Sequence, residues 1–199
     1  MIDQLKSAIC KTVKQFQKYP LDSLSERDIQ ALLFVELRNQ TPTIRYPYDA
    51  DGENKRFGFP RLDPPGRPLR IHPVTTEYHV SEGKFDIAIL SEKPDTEKDI
   101  WRQPCRVGIE IKLWQPCERE PKYIMDVKKL QRYQEKLQTA GQKFTGIVLL
   151  FVHPYKTGVP KDIFEEISPD AYPENGVALH LVTDKGHGWK QCPGPSITE

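Results

Sequence analysis

Along residues 2–18 apolar side chains recur at spacings of three and four. Ile2, Leu5, Ile9, Val13 and Phe16 fall on one stripe, with Lys6, Lys11 and Lys14 off it. That period predicts an amphipathic helix, stopped at Tyr19-Pro20. A second helix is expected to open at Ser23, where Glu26 three positions on completes a capping-box pattern. It runs through Ile29, Leu32, Leu33, Val35 and Leu37 to about Asn39. The pattern then shifts to alternation. Val74, Thr75, Thr76, Tyr78 and Val80, the turn Ser81-Glu82-Gly83-Lys84 and the returning Phe85 to Leu90 predict a β-hairpin over 74–80 and 85–90. Val107, Ile109, Ile111 and Leu113 alternate with Gly108, Glu110 and Lys112, the period of a half-buried strand over 106–113. Tyr123, Val127, Leu130 and Leu137 mark a helix over about 122–139, ended by Gly141. Gly146 to His153 reads as a buried strand, 161–167 as a short helix and Val177 to Val182 as a last strand. The Gly- and Pro-rich residues 184–199 are expected to form a loose tail.

Between these elements lie stretches without a period. From Thr41 to Arg70 six prolines and three glycines forbid long regular elements. Ser91 to Asp99 is a polar excursion, and Pro116–Pro121 a turn. At 199 residues, 37% hydrophobic and 29% charged, the chain suits a single globular domain. The longest strongly apolar run, Ile147 to Val152, is far short of the roughly 20 residues a membrane helix needs. No signal-peptide pattern opens the chain, so the cytoplasm is the expected location and no membrane partner is expected. Cys10, Cys105, Cys117 and Cys192 show no CxxC spacing and are expected to be reduced.

The formal net charge is only +1, so any nucleic-acid surface must be local. Residues 51–70 hold five basic against three acidic side chains, as a solvated connection or as an arm along an acidic polymer. Residues 119–143 hold seven against three, the most basic element of the chain. A charged helix face is usually just solvated, but this one directly follows the 106–113 strand.

Three carboxylates stand out against their surroundings. Asp86 lies in an apolar strand, where a carboxylate without a cation or donors is costly. Glu110 and Lys112 share one strand face, one pleat apart, as an ion pair or as a metal ligand beside a water-positioning lysine. Glu36 sits late in the second helix, as a solvated glutamate or a partly buried one. With the two strands adjacent, Asp86, Glu110 and Lys112 converge at one sheet edge. Two carboxylates plus a main-chain carbonyl and water suit Mg²⁺ or Mn²⁺, and phosphodiester hydrolysis is the matching chemistry. The lone histidines His72, His79, His180 and His187 read more simply as surface or core residues.

These elements resemble the PD-(D/E)XK nuclease superfamily, the restriction-endonuclease-like fold. The resemblance covers about residues 22–153 and rests on Gly83-Lys84-Phe85-Asp86-Ile87-Ala88-Ile89 followed by Ile109-Glu110-Ile111-Lys112, with Glu36 matching a first-helix glutamate. Phe85 stands where the name-giving proline would be. Lys122-Tyr123, Asp126, Lys129-Leu130 and Tyr133 resemble the K-Y-x-x-D-x-x-K-L helix of several branches. The resemblance implies an α/β fold with an αβββαβ core, a central mixed sheet flanked by helices, and here an extra N-terminal helix. It implies a metal-dependent nuclease without identifying the substrate; the expectation is endonuclease before exonuclease and DNA before RNA. Catalysis falls to Asp86, Glu110, Lys112 and Glu36, metal binding to Asp86, Glu110 and the Ile111 carbonyl, and Lys129 would reach the site or the scissile phosphate; from the charge of the same helix, Lys122, Lys128 and Arg132 are expected to contact nucleic acid as well. Working as a homodimer, or with a separate recognition subunit, fits the same pattern. The alternative is a non-cleaving nucleic-acid- or protein-binding module, or an accessory domain of a larger complex, that retains the fold.

Overall fold

A computed structural model describes residues 2–20, 25–46, 69–92, 103–114, 122–154 and 176–192. The helices are α1 (Ile2–Lys18), α2 (Glu26–Gln40) and α3 (Lys122–Thr139). The short strands β1 (Ile44–Tyr46) and β2 (Leu69–Ile71) pair with each other. A six-stranded sheet follows in chain order: β3 (Val74–Val80), β4 (Gly83–Leu90), β5 (Cys105–Leu113), β6 (Thr145–Phe151), β7 (Gly176–Val182) and β8 (His187–Cys192). Its middle, β5-β6-β7, is parallel, and antiparallel strands close both sides. The chain is therefore a mixed α/β protein. Among the described residues no helix is long and apolar enough to cross a membrane.

Alternation along the strands divides the core in two. Ile87, Ile89, Val107, Ile109, Ile111, Ile147 and Leu149 meet Leu5, Ile9, Val13 and Phe16 of α1 and Ile29, Leu33 and Leu37 of α2. Ala88, Leu90, Val148, Leu150, Leu179 and Leu181 point the other way, towards Leu130 and Tyr133 of α3. Gly108 and Gly146 face each other across β5 and β6. A Cβ on Gly108 would stand 2.9 Å from the Phe85 ring and 3.0 Å from Phe144. The missing side chain leaves room for the Phe85–Tyr133–Phe144 ring cluster, in which Tyr133 stands edge-on to the two phenylalanine rings.

Alternation fails at one place, and there the site forms. Val74 and Thr76 pair with Ile89 and Ile87, whereas two residues further on the Tyr78–Phe85 pair has crossed to the α3 side. The reversal falls at Glu77 and Asp86. Glu77 has φ +54, a sparsely populated region for a side-chain-bearing residue. Gln30 of α2 braces it by donating to Glu77 Oε1 (3.2 Å) and to the Asp86 carbonyl (2.6 Å).

Two sequence expectations are corrected. The N-cap of α2 is Ser25, with Asp28 as its capping-box partner (Ser25 N–H to Asp28 Oδ2, 2.8 Å). Ser-x-x-Asp fits the same rule two residues later than Ser23 with Glu26, and the shift releases Glu26 from capping. The tail is not loose over its first part. Residues 187–192 form β8, held by Trp189 stacked on His180 of β7 with centroids 3.9 Å apart. β7 is the strand expected over 177–182, and β8 carries the sheet one strand beyond it. The insertion at 41–70 has its ends paired as β1 and β2, and its basic part at 51–68 lies outside the described residues. The 161–167 helix, the turn at 116–121 with Cys117, Ser23 and most of the 91–99 excursion also lie outside them.

Candidate active site

Pairing of β4 with β5 runs from Leu90/Cys105 to Ile87/Ile109 and stops there. Beyond that point the strands part. Asp86 fills the gap: its Oδ2 accepts a hydrogen bond from the Ile111 N–H at 2.7 Å, so a side chain replaces the missing main-chain partner. Glu110 projects beside it towards α3, with its side chain 2% exposed. Lys112, one pleat on, reaches 3.8 Å from Asp86 Oδ2. The three residues expected to converge do converge.

The neighbouring elements add to them. Asp126 of α3 stands 3.5 Å from the Lys112 ammonium and 3.3 Å from that of Lys129. Glu26, in the first turn of α2, lies 3.6 Å from Lys112 and accepts from the Leu113 N–H at 3.1 Å. Lys129 enters the cluster rather than solvent. Its Nζ is 2.6 Å from Glu110 Oε1 and donates to the Lys84 carbonyl at 2.8 Å. The Ile111 carbonyl accepts from Lys112 Nζ at 3.1 Å.

Glu36 is elsewhere. It pairs with Lys11 of α1 at 3.1 Å and with Gln40 at 3.4 Å. Ten residues past Glu26 it lies about 15 Å further along α2, on a different face. Position in the helix made Glu36 the obvious candidate; the two-residue shift of the cap hid Glu26. Asp126 left a signal, since it precedes Lys129 by three residues, the spacing of neighbours on one helix face. Lys122, Lys128 and Arg132 lie on the exposed side of α3, with Arg132 Nε bonded to the Lys128 carbonyl at 3.3 Å.

Charge is unevenly balanced. Four carboxylates (Glu26, Asp86, Glu110, Asp126) face two ammonium groups (Lys112, Lys129), a formal excess of two negative charges. Burial raises the Asp86 pKa against the lowering effect of the Ile111 N–H and Lys112. Glu110 is pushed well above the usual carboxylate range, by burial first and the Asp86 charge second, with Lys129 opposing. Lys112 is pulled down by burial, but Asp126, Asp86 and Glu26 outweigh that and hold it above its ordinary value. These are the environments in which functional groups are found, although structural ion networks share them.

Among the described residues no three Asp, Glu, His or Cys side chains form a metal cage by themselves. A hard divalent cation here would draw on Asp86 and Glu110, a main-chain carbonyl and water, all oxygen donors of the type Mg²⁺ and Mn²⁺ prefer. The two-charge deficit around the buried Glu110 fits such an ion. The chain matches no family model, no curated protein and no solved structure.

Proposed function

We propose that this chain is a Mg²⁺- or Mn²⁺-dependent phosphodiesterase of the restriction-endonuclease-like type, cutting nucleic acid internally, DNA before RNA. The observation that carries the reading is the parting of β4 from β5, which gathers Asp86, Glu110 and Lys112 into an acid-rich site beside a basic helix. Asp86 and Glu110 would hold the cation, with the Ile111 N–H fixing the Asp86 rotamer. When bound, the ion lowers the pKa of a coordinated water and offsets charge on the phosphate. Lys112, kept charged by Asp126 and Glu26, orients the attacking water and balances the charge that develops on the phosphate oxygens. Lys122, Lys128 and Arg132 on the outer face of α3 attract the backbone of the substrate.

A second reading has its own support. Lys129 already neutralises Glu110, and Lys112 already satisfies the Ile111 carbonyl, as in a structural ion cluster of a non-cleaving binding module or accessory domain. Incubation with labelled duplex, single-stranded and branched DNA and with RNA, in Mg²⁺, Mn²⁺ or EDTA, separates the two. Cutting that requires the metal and is lost in Asp86→Asn supports the nuclease. No cutting of any substrate in either metal leaves the binding module.

A further inference from the structure

Lys129 has surroundings unlike those of a surface lysine. Its ammonium sits among three oxygens: Glu110 Oε1 at 2.6 Å, the Lys84 carbonyl at 2.8 Å and Asp126 Oδ1 at 3.3 Å. Its stem crosses Gly83, where a Cβ would stand 3.6 Å from Lys129 Cδ, and its charge lies 5.9 Å from the centre of the Phe85 ring. Only 16% of the side chain is exposed. Carboxylate, carbonyl and carboxylate around one positive centre form the kind of donor set a hard cation takes. The slot is built from both strands and the helix.

We infer that Lys129 is a tethered counter-ion of Glu110 and that a divalent cation must displace it to bind. The inference rests on the reading of Asp86 and Glu110 as the cation-binding pair. The reason is electrostatic. A divalent ion bound to the buried Glu110 carboxylate at ordinary ligand distances would lie within a few ångströms of the ammonium, and like charges so placed in a site of low dielectric repel strongly. Metal loading and withdrawal of Lys129 from its slot are then one event. In the metal-free protein Lys129 keeps Glu110 from standing uncompensated, and it makes the site resistant to weakly binding ions.

Two measurements on the full chain test this. The first is the rate of Lys129 acetylation by an amine-reactive ester, read by mass spectrometry in EDTA and in saturating Mn²⁺, with exposed Lys143 as reference. Mn²⁺ should accelerate modification of Lys129 several-fold and leave Lys143 unchanged. The second is Mn²⁺ affinity by calorimetry. Lys129→Met should bind at least tenfold more tightly than the unaltered chain, whereas Lys122→Met, which removes a charge from the outer face of α3, should gain much less. Mn²⁺ binding with unchanged Lys129 reactivity overturns the inference and leaves the nuclease reading in place; an equal gain in Lys122→Met does the same. No Mn²⁺ binding to the unaltered chain or to Lys129→Met overturns both. Should Lys129→Met fail to fold, the acetylation rates decide alone.

Discussion

Glu110 and His180 are both nearly closed to solvent, at 2% and 1% exposure, and they lie on opposite faces of the same sheet. Glu110 faces α3 amid charges of both signs. His180 faces the α1 and α2 side, stacked on Trp189 with its Nε2 3.1 Å from His187 Nδ1. Burial acts on both by the same physics, favouring the uncharged form of each, but in different surroundings. The imidazole gives up its charge, its pKa pushed down to about 3 by burial and by His187. Glu110 is pushed well above the usual carboxylate range by burial and by the Asp86 charge, but Lys129 opposes that shift, and Asp126 and Lys112 complete a charged cluster around it. A protein that needs only packing solves the problem as at His180. On the proposed reading, the costlier arrangement at Glu110 is what holds the cation.

The largest expected difference between the two places is in activity. Lys112→Ala or Asp86→Asn should lower metal-dependent cleavage by about 10²–10³-fold or more with the circular dichroism unchanged, while His180→Phe should leave cleavage intact. Full activity in either of the first two variants would dissolve the contrast. Glu26→Gln, which loosens the hold on Lys112, should cost about tenfold in kcat with KM little changed.

Stability against pH sharpens the contrast further. Between pH 3 and 6.5 His180 binds a proton only in the unfolded chain, so stability rises with pH, by at most about 1.4 kcal/mol per unit. Glu110 has the reverse sign. Its pKa is raised on folding, so above its ordinary value of 4.5 the unfolded chain sheds a proton that the folded one keeps, and stability falls as pH rises. From pH 4.5 to 6.5 the two slopes oppose each other. Urea midpoints in EDTA at pH 4.5 and 6.5 should therefore climb more steeply in Glu110→Gln than in the unaltered chain, and less steeply in His180→Phe. Parallel slopes in all three would show that neither burial is felt.

Smaller effects follow from packing and from the surface. Gly108→Ala forces the Phe85 and Phe144 rings aside and should cost about 1–3 kcal/mol in urea unfolding. Glu36→Gln removes the charge that pairs with Lys11 and accepts from Gln40, and should change stability by less than about 1 kcal/mol and cleavage not at all.

Much of this was legible in the chain. Alternation at 107–113 and the apolar run around Asp86 located both strands within a residue or two, and the oddity of Asp86 was chemical, visible without coordinates. What periodicity could not supply was where the pairing of β4 with β5 ends, because that depends on the reversal at Glu77, whose residue type favours no turn. The cap of α2 escaped for a different reason. Two overlapping Ser-x-x-acid patterns, starting at Ser23 and Ser25, satisfy the same rule, and only one start leaves Glu26 facing Lys112. β8 was hidden by Gly188 within it and by the Gly- and Pro-rich sequence around it, since Trp189 finds its partner across the sheet rather than along the sequence.

The small β1–β2 ladder has a consequence for how such a protein can diverge. His72, directly after β2, accepts from the Val74 N–H on Nδ1 at 3.1 Å and so donates from Nε2 to the Arg38 carbonyl of α2 at 3.0 Å, fastening the ladder beside that helix. Residues 47–68 thus leave and rejoin the fold at one anchored doorway. Doubling the length of a closed loop costs only about 0.6 kcal/mol. Changes in the length of the connection between Tyr46 and Leu69 should therefore cost little in closure as long as the β1–β2 pairing and the His72 bonds are kept, with the acid–lysine cluster untouched.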